Sequence, residues 1–282
     1  MTLVTRFAPS PTGLLHLGSV RAAAAAHARA RQDGGRFLLR IEDIDQARCR
    51  PEFTMAIEED LRWLGLYWDG AARVQSRHFG EYRAALDSLR RRRLIYPCFC
   101  SRADIVRAGG APHGGEEVYP GTCRNLPPTE AARRIAAGAP HAWRLDLARA
   151  IPREALFVDD EAAGPLRCDP SPFGDAVLAR RDAGTSYHLA ATHDDAAQGV
   201  TLVVRGEDLR PAAHLHRLLQ HLWGWPAPRY AYVALKLGPG GQRLAKRDRA
   251  ETVRALREAG ATPAEVLAMA MRDDADGAIS RR

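Results

Sequence analysis

Lysine is nearly missing from this chain. Of 41 basic residues in a length of 282, only Lys236 and Lys246 are lysines, so arginine carries almost all the positive charge and each lysine needs an explanation. Cysteine is sparse and odd in number. Five residues, two of them as Cys98-Phe99-Cys100, argue against a disulfide framework and point to metal-binding or structural thiols. No apolar run reaches the length that crosses a bilayer, and the opening MTLVTRFAPS lacks the charged and apolar stretches of a secretory leader, so a cytoplasmic protein is expected. Neither G-x-G-x-x-G nor a P-loop is present, which removes the usual nucleotide fingerprints. Internal repeats and low-complexity tails are absent too.

What is there describes a globular enzyme-sized chain. Apolar residues make up 46% and mean hydropathy is −0.32, enough for a core-forming domain with a smaller insert. A net charge of +7 and a pI near 9.5 suit a polyanionic partner, and the same excess also serves solubility. LVTRFA, SVRAAAAAHARARQDG and RFLLRIED read as strand, helix and strand, which predicts a βαβ unit. PEFTMAIEEDLRWLGL and FGEYRAALDSLRRRRLIY follow at helical spacing, the second ending in a basic run that reads as a solvated helix end. The texture turns to Gly/Pro-rich turns and clustered cysteines near residue 97. The expected organisation is an α/β fold in four segments: 1–96 and 166–240 as the halves of a Rossmann-like domain, 97–165 as an insert, and 241–282 as a loop with C-terminal helices.

The stretch RFAPSPTGLLHLGS is the first chemical signal. A strand leading through a Pro/Gly turn into a helix N-terminus makes an anion site, because unpaired N–H groups and the helix dipole both favour negative charge. His16 can donate there to a phosphate, and Gly18 lets a nucleotide lie against the backbone; on its own the segment also fits a plain tight turn. The second signal is GQRLAKRDRA, a glycine-led basic loop. Lys246 in it is the candidate mobile cation for phosphoryl chemistry.

With both signals in place, the sequence resembles the class I glutamyl-tRNA synthetases. PSPTGLLHLGS is similar to their HIGH region, RLAKR to their KMSKS-type loop, and VVRGEDL and YHLAATHDD to two further blocks, in the same order from about residue 4 to 250. Arg243 and Ala245 replace a lysine and the serine of that loop, and Ala191 stands where an asparagine is frequent. The resemblance implies a Rossmann-like catalytic domain with catalytic His16, Gly18 and Lys246. It also implies a glutamate pocket of Arg6, Ser10, Glu42, Tyr187 and Arg205. Glutamate carries two carboxylates and one ammonium, so Arg6 and Arg205 are expected to take the carboxylates, Glu42 the ammonium, and Ser10 and Tyr187 to supply hydroxyls.

Only about 36 residues follow Lys246, too few for the helical anticodon reader of a full-length glutamyl enzyme. That length, together with DDAAQGVT and YPGTC, resembles the bacterial glutamyl-queuosine tRNA(Asp) synthetases. The implied partners are L-glutamate, ATP with Mg²⁺, and tRNA(Asp) containing queuosine; a monomer with no protein or membrane partner is expected. The same resemblance implies one structural zinc on Cys98, Cys100, Tyr119 and Cys123. Chemistry alone would favour His113 over Tyr119 as the fourth donor, and metal-free thiols are the plain alternative. Three other functions stay open: a minimal enzyme charging a tRNA 3′ end, a non-catalytic tRNA-binding regulator, and an unrelated zinc-stabilised nucleotidyltransferase.

Overall fold

The computed structural model describes residues 2–109, 119–236 and 252–272. The chain runs β1 (Val4–Phe7), α1 (Leu17–Gln32), β2 (Arg36–Ile41), α2 (Pro51–Trp63), β3 (Arg73–Val74), α3 (Phe79–Arg91), β4 (Ile95–Cys98), α4 (Arg102–Gly109) and α5 (Pro128–Ala136). It continues through β5 (Ala142–Leu145), α6 (Leu147–Ala150), β6 (Phe157–Asp160), β7 (Gly164–Arg167), β8 (Val177–Ala179), α7 (Tyr187–Ala197) and β9 (Leu202–Gly206). The last elements are α8 (Ala212–Trp223), β10 (Arg229–Val233), α9 (Val253–Glu258) and α10 (Pro263–Met271).

β1, β2 and β3 pair in parallel, and so do β9 and β10, with β6 and β7 extending that second sheet. The two parallel sheets meet at β1 and β9, where the Thr201 N–H donates to Val4 O at 2.9 Å and the Thr201 hydroxyl accepts from the Val4 N–H. Chain order reverses at this seam, and the crevice beyond strand C-termini at such a reversal is where open α/β sheets bind ligands. A third, antiparallel sheet, β4-β5-β8, carries the CxC segment; its strand β8 lies past residue 165, while β6 and β7 pair with the catalytic sheet.

The predicted βαβ unit is present, with β2 buried at every position after Arg36, as a strand covered on both faces should be. The alanine run of α1 has a packing purpose. Ala23, Ala26 and Ala30 are fully buried in the core that also holds Val253, Val266 and Ala270, so small side chains let α1 lie close to the sheet while the C-terminal helices pack on it.

Candidate active site

The opening loop is held by its own carbonyls. The Pro9 oxygen accepts from the Glu42 N–H at 3.0 Å, the Pro11 oxygen from Arg50 at 3.0 Å, and the Leu15 oxygen from Val253 at 2.9 Å. The loop thereby ties the end of β2 and the start of α9 to the N-terminus of α1. His16 is the N-cap of α1: its Nδ1 accepts from the Ser19 N–H at 3.3 Å, which leaves Nε2 as the protonated nitrogen. Gly18 makes room for that ring. A Cβ there would sit 3.1 Å from His16 Cε1 and Nδ1.

A cavity of about 410 Å³ opens at the C-terminal ends of β1, β2, β9 and β10 and faces the N-termini of α1 and α7. Arg6, Ser10, His16, Gly18, Glu42, Tyr187 and Arg205 all line it, so seven of the sequence-assigned residues converge on one space. Arg243 and Lys246 lie outside the described residues, as does His113.

Arg6 and Arg205 are not equivalent. Arg6 Nε donates to Asp195 Oδ1 at 2.9 Å and Nη1 to the Val204 carbonyl at 3.2 Å. Arg205 is 5% exposed, yet its Nε and Nη2 find no hydrogen-bond partner. Its guanidinium lies 5.0 Å and 5.8 Å from the ring centroids of Tyr230 and Tyr232.

Behind the cavity stands a charge hub that the sequence reading missed. Arg40 is wholly buried; it donates to Asp195 Oδ1 at 2.7 Å and to Glu42 Oε1 at 3.1 Å. Burial works against the Arg40 charge, but Asp195, Glu42 and Asp194 outweigh it and raise its pKa. Burial pushes the Glu42 carboxyl above the ordinary range, with Arg40 and Arg6 pulling it back. An arginine inside the apolar run RFLLRI was the available signal, because a buried charge requires a partner. Lys236 also lines the cavity, and its Nζ donates to the Arg272 carbonyl at 2.5 Å, tying the end of β10 to the end of α10. Its rarity marked it in the sequence; its position did not follow from that.

Counting the cavity lining and the hub behind it, four cations (Arg6, Arg40, Arg205, Lys236) meet three carboxylates (Glu42, Asp195, Asp208), leaving one positive charge. Glutamate carries one net negative charge at neutral pH, and glutamine none. Ser10, Glu42 and Tyr187 also border a second cavity of about 440 Å³, whose far wall includes Tyr119, Arg144 and Arg180.

The sulfur cluster lies beyond that wall. Cys98, Cys100 and Cys123 place their Sγ atoms within 4.8 Å of one another, with Cys100 and Cys123 3.5 Å apart. The Tyr119 hydroxyl is 3.7 Å from Cys100 Sγ and accepts from the Cys123 N–H at 2.7 Å. Tetrahedral zinc with Zn–S near 2.3 Å sets sulfurs about 3.8 Å apart, so the arrangement is compatible with a zinc site. Burial pushes the Cys100 thiol up to about 11 in the absence of a cation. Cys49 and Cys168 lie outside the cluster.

The cavity sits where an open α/β sheet holds its ligand, at the sheet reversal, and the HIGH-like loop borders it; the chain belongs to the class I tRNA synthetases. The family described as tRNA synthetases class I (E and Q), catalytic domain, matches residues 2–274. Within that class the chain belongs to the glutamyl-Q tRNA(Asp) synthetases. It is 46% identical over 279 residues to the glutamyl-Q tRNA(Asp) synthetase of Rhodobacter capsulatus, covering 94% of this chain and 98% of that protein. Against glutamate–tRNA ligase 2 of Nitrosococcus oceani it is 40% identical, covering 93% of this chain and 57% of the relative. Among solved structures, a glutamate tRNA ligase from Elizabethkingia meningosepticum in complex with its amino acid superposes with a TM-score of 0.76 at 30% identity; 88% of this chain and 52% of that chain are covered. Among the described residues no helix is long and apolar enough to cross a membrane.

Proposed function

We propose that the chain activates L-glutamate with ATP and transfers it to queuosine at the wobble position of tRNA(Asp). The observation that carries the glutamate half is the buried guanidinium of Arg205, whose Nε and Nη2 have no hydrogen-bond partner, in a cavity with one surplus positive charge. A substrate carboxylate supplies what it lacks. Glu42 receives the α-ammonium, and the second carboxylate falls to Arg6 with Ser10 and Tyr187. The α-carboxylate attacks the α-phosphate of ATP, bound with Mg²⁺, at the N-terminus of α1. His16 Nε2–H and the first-turn N–H groups meet the phosphate, and Lys246 and Arg243 gather charge as pyrophosphate leaves. A queuosine hydroxyl then attacks the carbonyl of the mixed anhydride from the adjoining cavity, forming the ester and losing its proton as the acyl–phosphate bond breaks and AMP leaves. The acceptor half is supported by the names of the relatives at 44–46% identity. The reaction is placed in the cytoplasm, on a chain acting as a monomer.

Purified protein with ATP and labelled glutamate should label tRNA from queuine-fed cells and leave tRNA from queuine-starved cells blank, with the product alkali-labile. Equal labelling of both pools would instead establish 3′-end charging, the reading that the 40% identity to a glutamate–tRNA ligase favours.

Cys98, Cys100, Cys123 and Tyr119 are assigned to one structural zinc, which would clamp the wall that Tyr119 lends to the acceptor cavity. Elemental analysis should find one zinc per chain, and Cys98→Ser should lose it. Chelation is expected to reduce transfer to tRNA more than pyrophosphate exchange; full transfer by zinc-free protein would remove the assignment.

A further inference from the structure

Resting on queuosine as the acceptor, we propose that the groove between α3 and the β4-β5-β8 sheet binds the single-stranded anticodon-loop nucleotides that flank the acceptor base. This groove, about 410 Å³, takes Arg83 and Arg90 from α3, His141 and Trp143 from the β5 side, and Arg180 and Arg181 from the segment after β8. Arg83 and Arg90 stand seven residues apart on a helix, two turns along one face. Arg180 borders both this groove and the 440 Å³ cavity beside the glutamate site. A strand that puts one nucleotide into that cavity can lay its neighbours past Arg180 along this groove.

The chemistry of the walls selects the ligand. His141 and Trp143 line the groove as half-buried rings 5.4 Å apart, edge to face, and Phe99, outside the lining, adjoins His141 at 5.5 Å. The Arg90 guanidinium is 5.9 Å from the Trp143 ring and that of Arg134 5.4 Å from Phe99. Three carboxylates answer the four arginines of the groove: Asp87 lies 3.5 Å from Arg90, and Asp182 and Asp45 lie 2.5 Å and 3.6 Å from Arg180, while Arg134 outside it pairs with Glu130. Positive charge is therefore in excess, and it alternates with flat rings. Unstacked bases fit the rings and phosphates fit the guanidinium groups, whereas a duplex would bring phosphates but keep its bases stacked away from the rings.

The test is the double variant R83Q/R90Q, both positions being exposed on α3. Binding of a queuosine-containing anticodon stem-loop is followed by fluorescence anisotropy over a salt series. Each single-strand phosphate contact contributes about 0.7 to the slope of log K against log salt, so losing two should flatten it by about 1.4. KM for tRNA in the transfer assay should rise about tenfold or more, by the same loss of phosphate contacts. Glutamate-dependent pyrophosphate exchange involves no RNA and reports intact folding. R83K/R90K should restore the slope, which a packing role for these residues would not predict. An unchanged slope and KM in R83Q/R90Q, with wild-type transfer to queuosine tRNA intact, overturns the groove and leaves the acceptor assignment standing. A flattened slope alongside wild-type protein that labels no queuosine tRNA does the reverse.

Discussion

Replacing Arg205 with glutamine should lower kcat/KM for glutamate in pyrophosphate exchange by about 10²-fold or more while leaving the fold intact. The size follows from what the guanidinium lacks. Nε and Nη2 are buried and have no hydrogen-bond partner, so a bound carboxylate gains two charge-assisted bonds, each worth about 1.5–3 kcal/mol. The expected change in stability is small. Burial works against the Arg205 charge and the surrounding tyrosines offset it, with no carboxylate pair to break, so R205Q should melt close to the wild-type temperature. Lysine at the same place keeps the charge but not the planar fork, and should recover only part of the activity. Unaltered exchange, or a large drop in melting temperature, would mean that Arg205 is a structural cation held by Tyr230 and Tyr232.

Much of the site was legible because it is local in sequence. Arg6, Ser10, His16 and Gly18 sit within one strand–loop–helix turn, and Glu42 and Arg205 each lie at the end of a strand whose apolar run is plain. The cysteines were equally visible, and their convergence with Tyr119 needed only one closed loop. The KMSKS-like loop, with Arg243 and Lys246, stays a sequence-level assignment.

The charge hub was not legible, for a physical reason. Asp195 meets Arg40 and Arg6 across 155 and 189 residues, and no periodicity records a pairing of that range. The groove was hidden in the same way. The basic run that begins at Arg90 reads as a solvated helix end, and nothing in the sequence sets Arg83 apart, until β5 and the segment after β8 are folded against α3. Non-local charge pairing decides how much of each equivalent-looking arginine remains available to substrate: Arg40 spends Nε, Nη1 and Nη2 on Glu42 and Asp195, Arg6 spends Nε and Nη1, and Arg205 keeps Nε and Nη2 without a partner.

Asp195→Asn is therefore expected to be the most damaging single change to the fold. Asp195 is 4% exposed and its Oδ1 accepts from both Arg6 Nε and Arg40 Nη1. Burial alone would raise its carboxyl, but Arg6 and Arg40 more than offset this and hold it below the ordinary range. Removing the charge strands two buried guanidinium groups, of which Glu42 can answer one. Breaking a buried ion pair from one side costs about 3–5 kcal/mol. For a chain of this size that is a fall in Tm on the order of 10 °C. The pH dependence has a definite sign: the stabilisation exists above the unfolded carboxyl's pKa and is lost as pH falls through the lowered folded value. Wild-type Tm should consequently drop on acidification by more than that of D195N, and the two curves should converge at low pH. Pairing the change with Arg40→Met, which removes one stranded cation, should return part of the lost stability without restoring exchange, because Glu42 then loses its anchor. If D195N melts like wild type at neutral pH, the hub does not hold the strand ends together, and the selective availability of Arg205 needs another cause.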